Sequence, residues 1–119
     1  MGRSYKDLVV WQRAMILVSG IYRATKEFPK DEVFGLTAQL RRAAVSIPSN
    51  IAEGQGRLSA NEFRHFLGQA RGSLMEVETQ LQISLDLGYM NSDTAKTVFD
   101  LCAEVGRVLN GLLASIPRA

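Results

Sequence analysis

The segment Glu62-Phe63-Arg64-His65 has the spacing most suggestive of chemistry in this sequence. A Glu-x-x-His pair puts a carboxylate and an imidazole on one helix face, the arrangement by which di-iron carboxylate bundles hold their metals. Such a centre needs two copies of the motif and two further inward glutamates, and His65 is the only histidine in the chain. Glu62 is better placed to close Ser59-Ala60-Asn61-Glu62 as a helix-capping box, which leaves His65 for a surface or an interface. Cys102 is the only cysteine, so neither an internal disulfide nor a multi-cysteine zinc site can form. A Cys-His nucleophilic pair would require Cys102 to meet His65, yet Cys102 falls on an apolar stripe and reads as a small buried thiol. Glu53, Glu76 and Glu78 could gather into an acidic cluster, but without a histidine such carboxylates serve more often as partners for Arg41, Arg42 or Arg71. The glycines of Glu53-Gly54-Gln55-Gly56-Arg57 do not run on into the Gly-Lys-Ser or Gly-Lys-Thr of a phosphate loop. No catalytic residue, metal or cofactor is expected, and the chain reads as a non-enzymatic protein that works by binding.

A length of 119 residues suits one domain, 1–119, able to bury a core without staples. The longest apolar runs, such as Ala14 to Val18, fall far short of the ~20 residues of a membrane helix. The stretch Met1-Gly2-Arg3-Ser4-Tyr5-Lys6-Asp7 lacks a signal peptide's apolar core and cleavage site, so a cytoplasmic protein is expected. The net charge of +2 hides an asymmetry. Residues 1–72 carry 11 Lys and Arg against 6 Asp and Glu, whereas residues 73–119 carry 3 against 6. The basic part could be an anion-binding face, or a solvated surface with complementary subunit contacts. The aromatic residues fall mostly on core stripes, which disfavours base stacking and leaves arginine-phosphate contacts as the route to RNA.

The elements that must position these residues are four helices. The first spans Lys6 to Phe28 and stops at Pro29. Val10, Ala14, Leu17, Ile21, Ala24 and Phe28 form one apolar stripe along it, and Leu8, Trp11, Met15, Val18 and Tyr22 form another. The two begin two positions apart, about 200° around the helix. A four-helix bundle covers one side fully, so the second stripe is assigned to a contact between subunits; a single wide core face is the alternative. The second helix runs from about Val33 into the fifties with Leu36, Leu40, Ala44, Ile47 and Ile51 inward. Pro48 predicts a kink, or a short break and restart, and Gly54 and Gly56 a left-handed end. The third helix opens at the Ser59 box and carries Phe63, Leu67, Ala70, Leu74, Val77 and Leu81 until Gly88. Gly68 and Gly72 beside that stripe are expected to pack tightly inside the bundle. The fourth starts near Ser92 or Asp93 and carries Val98, Leu101, Val105, Val108, Leu112 and Ile116, with Phe99, Cys102, Leu109 and Leu113 widening its face, up to Pro117. Short connections then predict an all-α, antiparallel up-down-up-down four-helix bundle.

One run of the second helix is distinctive: Gln39-Leu40-Arg41-Arg42-Ala43-Ala44-Val45-Ser46-Ile47-Pro48-Ser49-Asn50-Ile51-Ala52-Glu53-Gly54, preceded by Gly35-Leu36. It resembles the four-helix-bundle proteins encoded in intervening sequences of bacterial large-subunit (23S) ribosomal RNA genes, a family similar to the accessory proteins of diversity-generating retroelements. Asp7-Leu8 with Trp11 and Ala14, Phe28-Pro29, Glu62-Phe63 with Phe66-Leu67, and Gly72-Ser73-Leu74 with Glu76 and Glu78 fit the same pattern, which covers nearly the whole chain.

The resemblance implies a helical bundle assembled into a homo-oligomer, a ring of five subunits, with a role in binding RNA or a ribonucleoprotein. Together with the basic first part of the chain it points to Arg41, Arg42, Arg57, Arg64 and Arg71 as phosphate contacts to structured RNA. The recurrent positions Gln39, Ser46, Pro48, Asn50, Glu53 and Gly54 are expected to be structural, Asn50 and Glu53 bracing the helix around Pro48. The rival reading is a protein-binding scaffold, or an adapter for a nucleic-acid enzyme, with no RNA contact of its own.

Overall fold

The computed structural model describes residues 4–118, so Met1, Gly2 and Arg3 of the N-terminal stretch lie outside the described residues. Those residues form four α-helices and no strand: α1, Val9–Thr25; α2, Leu36–Gln55; α3, Ala60–Asp86; and α4, Ser92–Ser115. Each helix packs on two neighbours in a closed ring, α1 and α3 both lying against α2 and α4. Arg41 near the start of α2 meets Tyr22 and Thr25 at the end of α1. Gly54 at the end of α2 meets Phe63 and Phe66 at the start of α3, and Arg64 there reaches Leu113 near the end of α4. That register is the one of antiparallel neighbours. At about 1.5 Å per residue the 27 residues of α3 span roughly 40 Å, most of the 46 Å long axis.

The apolar stripes become the core, except that in α4 the buried line is Val98, Cys102, Val105 and Leu109 while Leu101, Val108, Leu112 and Ile116 are half-buried, as are Leu36 and Phe63. Val10, Ala14, Leu17, Ile21, Ala24 and Phe28 are all buried, against Leu40, Ala44, Ile47 and Ile51 of α2, Leu67 to Leu81 of α3, and Val98, Cys102, Val105 and Leu109 of α4. Truncating one of the fully enclosed leucines to alanine would cost about 2–5 kcal/mol, through lost transfer energy and the cavity left behind.

Several boundaries differ from the pattern, each for a local reason. Tyr5–Asp7 form a separate 3-10 turn capped by Ser4, whose hydroxyl accepts the Lys6 N–H. The α-helix begins only at Val9, after Leu8 in extended conformation, and ends at Thr25 in a turn that precedes Pro29. The second helix starts at Leu36 rather than near Val33, because the Glu32 carboxylate folds back to accept the Leu36 N–H at 3.0 Å. Gly35 permits this: a Cβ there would stand 2.6 Å from Glu32 Oε1.

Pro48 is buried, and α2 runs through it as one continuous helix, so of the kink or the short break and restart expected there the break does not occur. Proline leaves the Ala44 carbonyl without its usual donor. Ser46 Oγ donates to the Ala43 carbonyl, Ser49 Oγ to Val45 and Asn50 Nδ2 to Ser46, so side chains hold the carbonyls flanking that gap. Gly54 and Gly56 do not form a left-handed end: Gly54 is inside the helix, and Gly56 caps it in right-handed conformation. The left-handed glycine is Gly88, at φ +78°. There the Tyr89 N–H reaches the Ser84 carbonyl and the Gly88 N–H reaches Leu85, the two bonds of a Schellman ending.

Gly68 and Gly72 are exposed, and a Cβ added at either would meet nothing within 4 Å, so they are not packed inside the bundle. Gly54 takes that role instead. A Cβ on Gly54 would lie 2.8 Å from Phe66 Cβ and 3.3 Å from the Phe63 carbonyl oxygen.

Candidate functional site

The five arginines are distributed over the bundle rather than gathered on one face. Arg41 Nε donates to Thr25 Oγ1 at 2.8 Å and Nη2 to the Tyr22 carbonyl at 3.4 Å, with its guanidinium 4.5 Å above the Tyr22 ring. Arg64 Nη1 donates to the Leu113 carbonyl at 2.7 Å and to Ile116 at 3.3 Å. Each lays a positive charge on the carbonyl end of a neighbouring helix, α1 in one case and α4 in the other. Arg57 pairs with Glu53 at 2.6 Å and lies 4.8 Å over the Phe66 ring. Arg42 and Arg71 are exposed and have no partner among the described residues.

The expected cluster of Glu53, Glu76 and Glu78 does not form. Glu53 is held by Arg57 at the end of α2, Glu76 meets Gln80 at 3.4 Å on α3, and Glu78 lines a groove with Arg71, Cys102 and Arg107. The Cys102 thiol is buried, and desolvation, with Glu78 adding to it, pushes its pKa up to about 12. His65 is exposed, its Nε2 3.0 Å from Gln69 Nε2 and its ring edge-on to Phe66, so the two residues make no nucleophilic pair. Ser59 Oγ accepts the Glu62 N–H at 3.1 Å, but Glu62 answers the Ser59 hydroxyl at 3.4 Å rather than its backbone. No group of three or more His, Cys, Asp or Glu among the described residues could hold a metal ion, and no helix there is long and apolar enough to cross a membrane.

The second stripe of α1 stays at the surface of the single chain. Leu8, Trp11 and Val18 are half-buried at the edge of the core, while Met15 and Tyr22 are exposed. Trp11, Met15 and Val18 face Val45, Pro48 and Ala52 of α2 across an open, mainly apolar groove of about 350 Å³. Of the recurrent positions, Ser46 and Asn50 bond the Ala43 and Ser46 carbonyls near Pro48, Glu53 binds Arg57 rather than bracing the helix around Pro48, Gly54 seats the start of α3, and Gln39 is exposed.

At the corner joining α1 to α2, a second cavity of about 390 Å³ is lined by Lys26, Lys30, Val33, Thr37 and Arg41. The residue after Val33, Phe34, is 94% exposed. The helical stripes could not reveal this corner, because Lys26, Lys30, Val33 and Phe34 belong to the connection between α1 and α2. Its signal in the sequence is an aromatic residue outside every stripe, with Lys26 and Lys30 just before it. Behind it the Tyr89 hydroxyl donates to Glu32 Oε2 at 2.8 Å, tying the α3–α4 turn to the corner. The bond to the Leu36 N–H, then that to Tyr89, holds the Glu32 carboxyl below the ordinary carboxylate range.

Residues 6–111 match the family model of the 23S rRNA-intervening sequence protein. A search of curated proteins gives no match. A crystal structure of a protein with unknown function from the S23 ribosomal protein family of Bacteroides thetaiotaomicron VPI-5482 superposes with a TM-score of 0.83 at 21% identity, covering 92% of this chain and 99% of that one. At that identity the likeness establishes the fold, while the match over most of the sequence establishes descent: the chain belongs to the 23S rRNA-intervening sequence protein family.

Proposed function

We propose that this protein is a non-enzymatic, cytoplasmic homo-oligomer that binds structured RNA by phosphate contacts. The observation that carries the self-association is the groove of Trp11, Met15 and Val18 against Val45 and Pro48, an apolar surface that four helices leave uncovered. A second copy of the chain would cover it, and five subunits is the number the family resemblance implies. The RNA partner is supported by the basic first part of the chain and by the family's name, which ties it to ribosomal RNA genes. Within the chain, Arg42 and Arg71 have their guanidinium groups free for phosphates, whereas Arg41, Arg57 and Arg64 already hold partners. Repetition around an oligomer turns a weak patch into an effective one by raising the local concentration of the second contact.

The test is binding to structured ribosomal RNA fragments across a salt series, with duplex DNA of similar length as control and sedimentation run in parallel. RNA-preferring affinity that falls steeply with salt, and a shallower fall for Arg42→Gln with Arg71→Gln, is the expected result. The rival reading, a scaffold or adapter for a nucleic-acid enzyme, draws on the same groove and on the likeness to retroelement accessory proteins. An oligomer that binds no RNA at low salt would select it.

A further inference from the structure

We infer that the corner between α1 and α2 is a site for an unpaired nucleotide of RNA, with the base on Phe34 and its phosphate in the pocket of Lys26, Lys30 and Arg41. The inference rests on the RNA-binding reading and gives it a place on the molecule. Phe34 is 94% exposed in a chain whose other phenylalanines are buried or half-buried. A ring this exposed leaves its flat face open to a partner, and every base offers a flat face for stacking. Phe34 directly follows Val33, which lines the pocket.

The pocket is lined by three cations, Lys26, Lys30 and Arg41, beside apolar Phe28, Pro29 and Val33, and it is partly preorganised. Arg41 is clamped by Thr25 Oγ1, the Tyr22 carbonyl and the Tyr22 ring, and Nη1 takes no part in those bonds. Lys26 and Lys30 are exposed and unpaired among the described residues. Thr37 lines the same space, is 6% exposed, and its hydroxyl has no hydrogen-bond partner among the described residues. The acids of the same turn, Glu27, Asp31 and Glu32, do not line the pocket, and the Glu32 carboxylate is turned to the Leu36 N–H and the Tyr89 hydroxyl. Cations, a spare hydroxyl and an uncovered aromatic face together match a nucleotide, and a polyanion with flat rings is the complementary partner.

The experiment measures binding of the full chain, Phe34→Ala, and Lys26→Gln with Lys30→Gln, to single-stranded RNA and to blunt duplex RNA by fluorescence anisotropy, with thermal melting and sedimentation as controls. Phe34→Ala should weaken binding to single strands by roughly tenfold and leave the duplex unchanged. The lysine variant should flatten the single-strand salt slope by about 0.7, one phosphate's worth. Unchanged single-strand binding by both folded variants would overturn the site while the RNA reading stands. A change in oligomeric state with Phe34→Ala, without loss of RNA affinity, would make the corner a contact between copies and overturn it too. If the unaltered protein binds no RNA at low salt, the RNA reading falls and the site with it.

Discussion

The two ends of the bundle use similar residues for opposite purposes. At the end formed by the α2–α3 connection and the tail of α4, Arg57 is neutralised by Glu53, Arg64 is spent on two carbonyls, and Gly54 lets the phenylalanines of α3 press on the α2 backbone. At the other end, Arg41 also holds a helix terminus, but Lys26 and Lys30, which line a pocket with it, and Phe34 in the same connection are left open to water. A basic or aromatic residue therefore has no fixed meaning here. Its role depends on whether an acid, a carbonyl or a ring of the same chain has already claimed it.

The sharpest way to test the contrast is at Gly54. Gly54→Leu should destabilise the fold by about 3 kcal/mol in denaturant unfolding, since the crowding atoms include the Phe63 backbone and cannot all move aside. Arg64→Met should cost about 1–2 kcal/mol, because two half-buried carbonyls lose a charged donor. Arg57→Met, whose pair with Glu53 is largely exposed, should cost under about 1 kcal/mol. Equal losses at Arg64 and Arg57 would erase the distinction drawn between them.

At the open end the expected effects are smaller and of another kind. Glu32 has a lowered pKa in the folded state, so its contribution to stability is present above its unfolded value and fades as pH falls through the folded one. Glu32→Gln should therefore reduce stability at neutral pH and flatten the acid limb of a melting-temperature series, bringing variant and parent together at low pH. Arg42→Gln should change stability by less than about 0.5 kcal/mol, whatever it does to RNA affinity.

Much of the fold is legible from periodicity. The stripe of α1 from Val10 to Phe28 is buried at every position, and that of α3 from Leu67 to Leu81 likewise, because spacing at 3.6 residues per turn specifies a helix face without knowledge of its partner. Ser59 caps α3 as its box predicts, and α4 begins at Ser92 as expected, capped by Asn91, which the sequence pattern does not single out. Glycine is harder to read. Its placement predicts a left-handed end to α2 at Gly54 and Gly56 and close packing at Gly68 and Gly72, yet Gly54 is the packed one, Gly56 stays right-handed and the α3 pair faces open space. A missing side chain records that something was excluded, or that nothing was needed, and only the neighbours tell which.

The candidate sites show the same division. Local spacing and composition are enough to dictate the helical class, the inward faces, the buried thiol and the uncovered apolar stripe of α1. It takes the packed bundle to bind Arg41 and Arg64 to the ends of other helices, to keep Glu53, Glu76 and Glu78 apart, and to leave Phe34 exposed in the α1–α2 connection. The reason is physical: a long side chain's partner is set by what packing brings within about 3 Å of its tip, and that distance is measured across helices, where sequence separation carries no information.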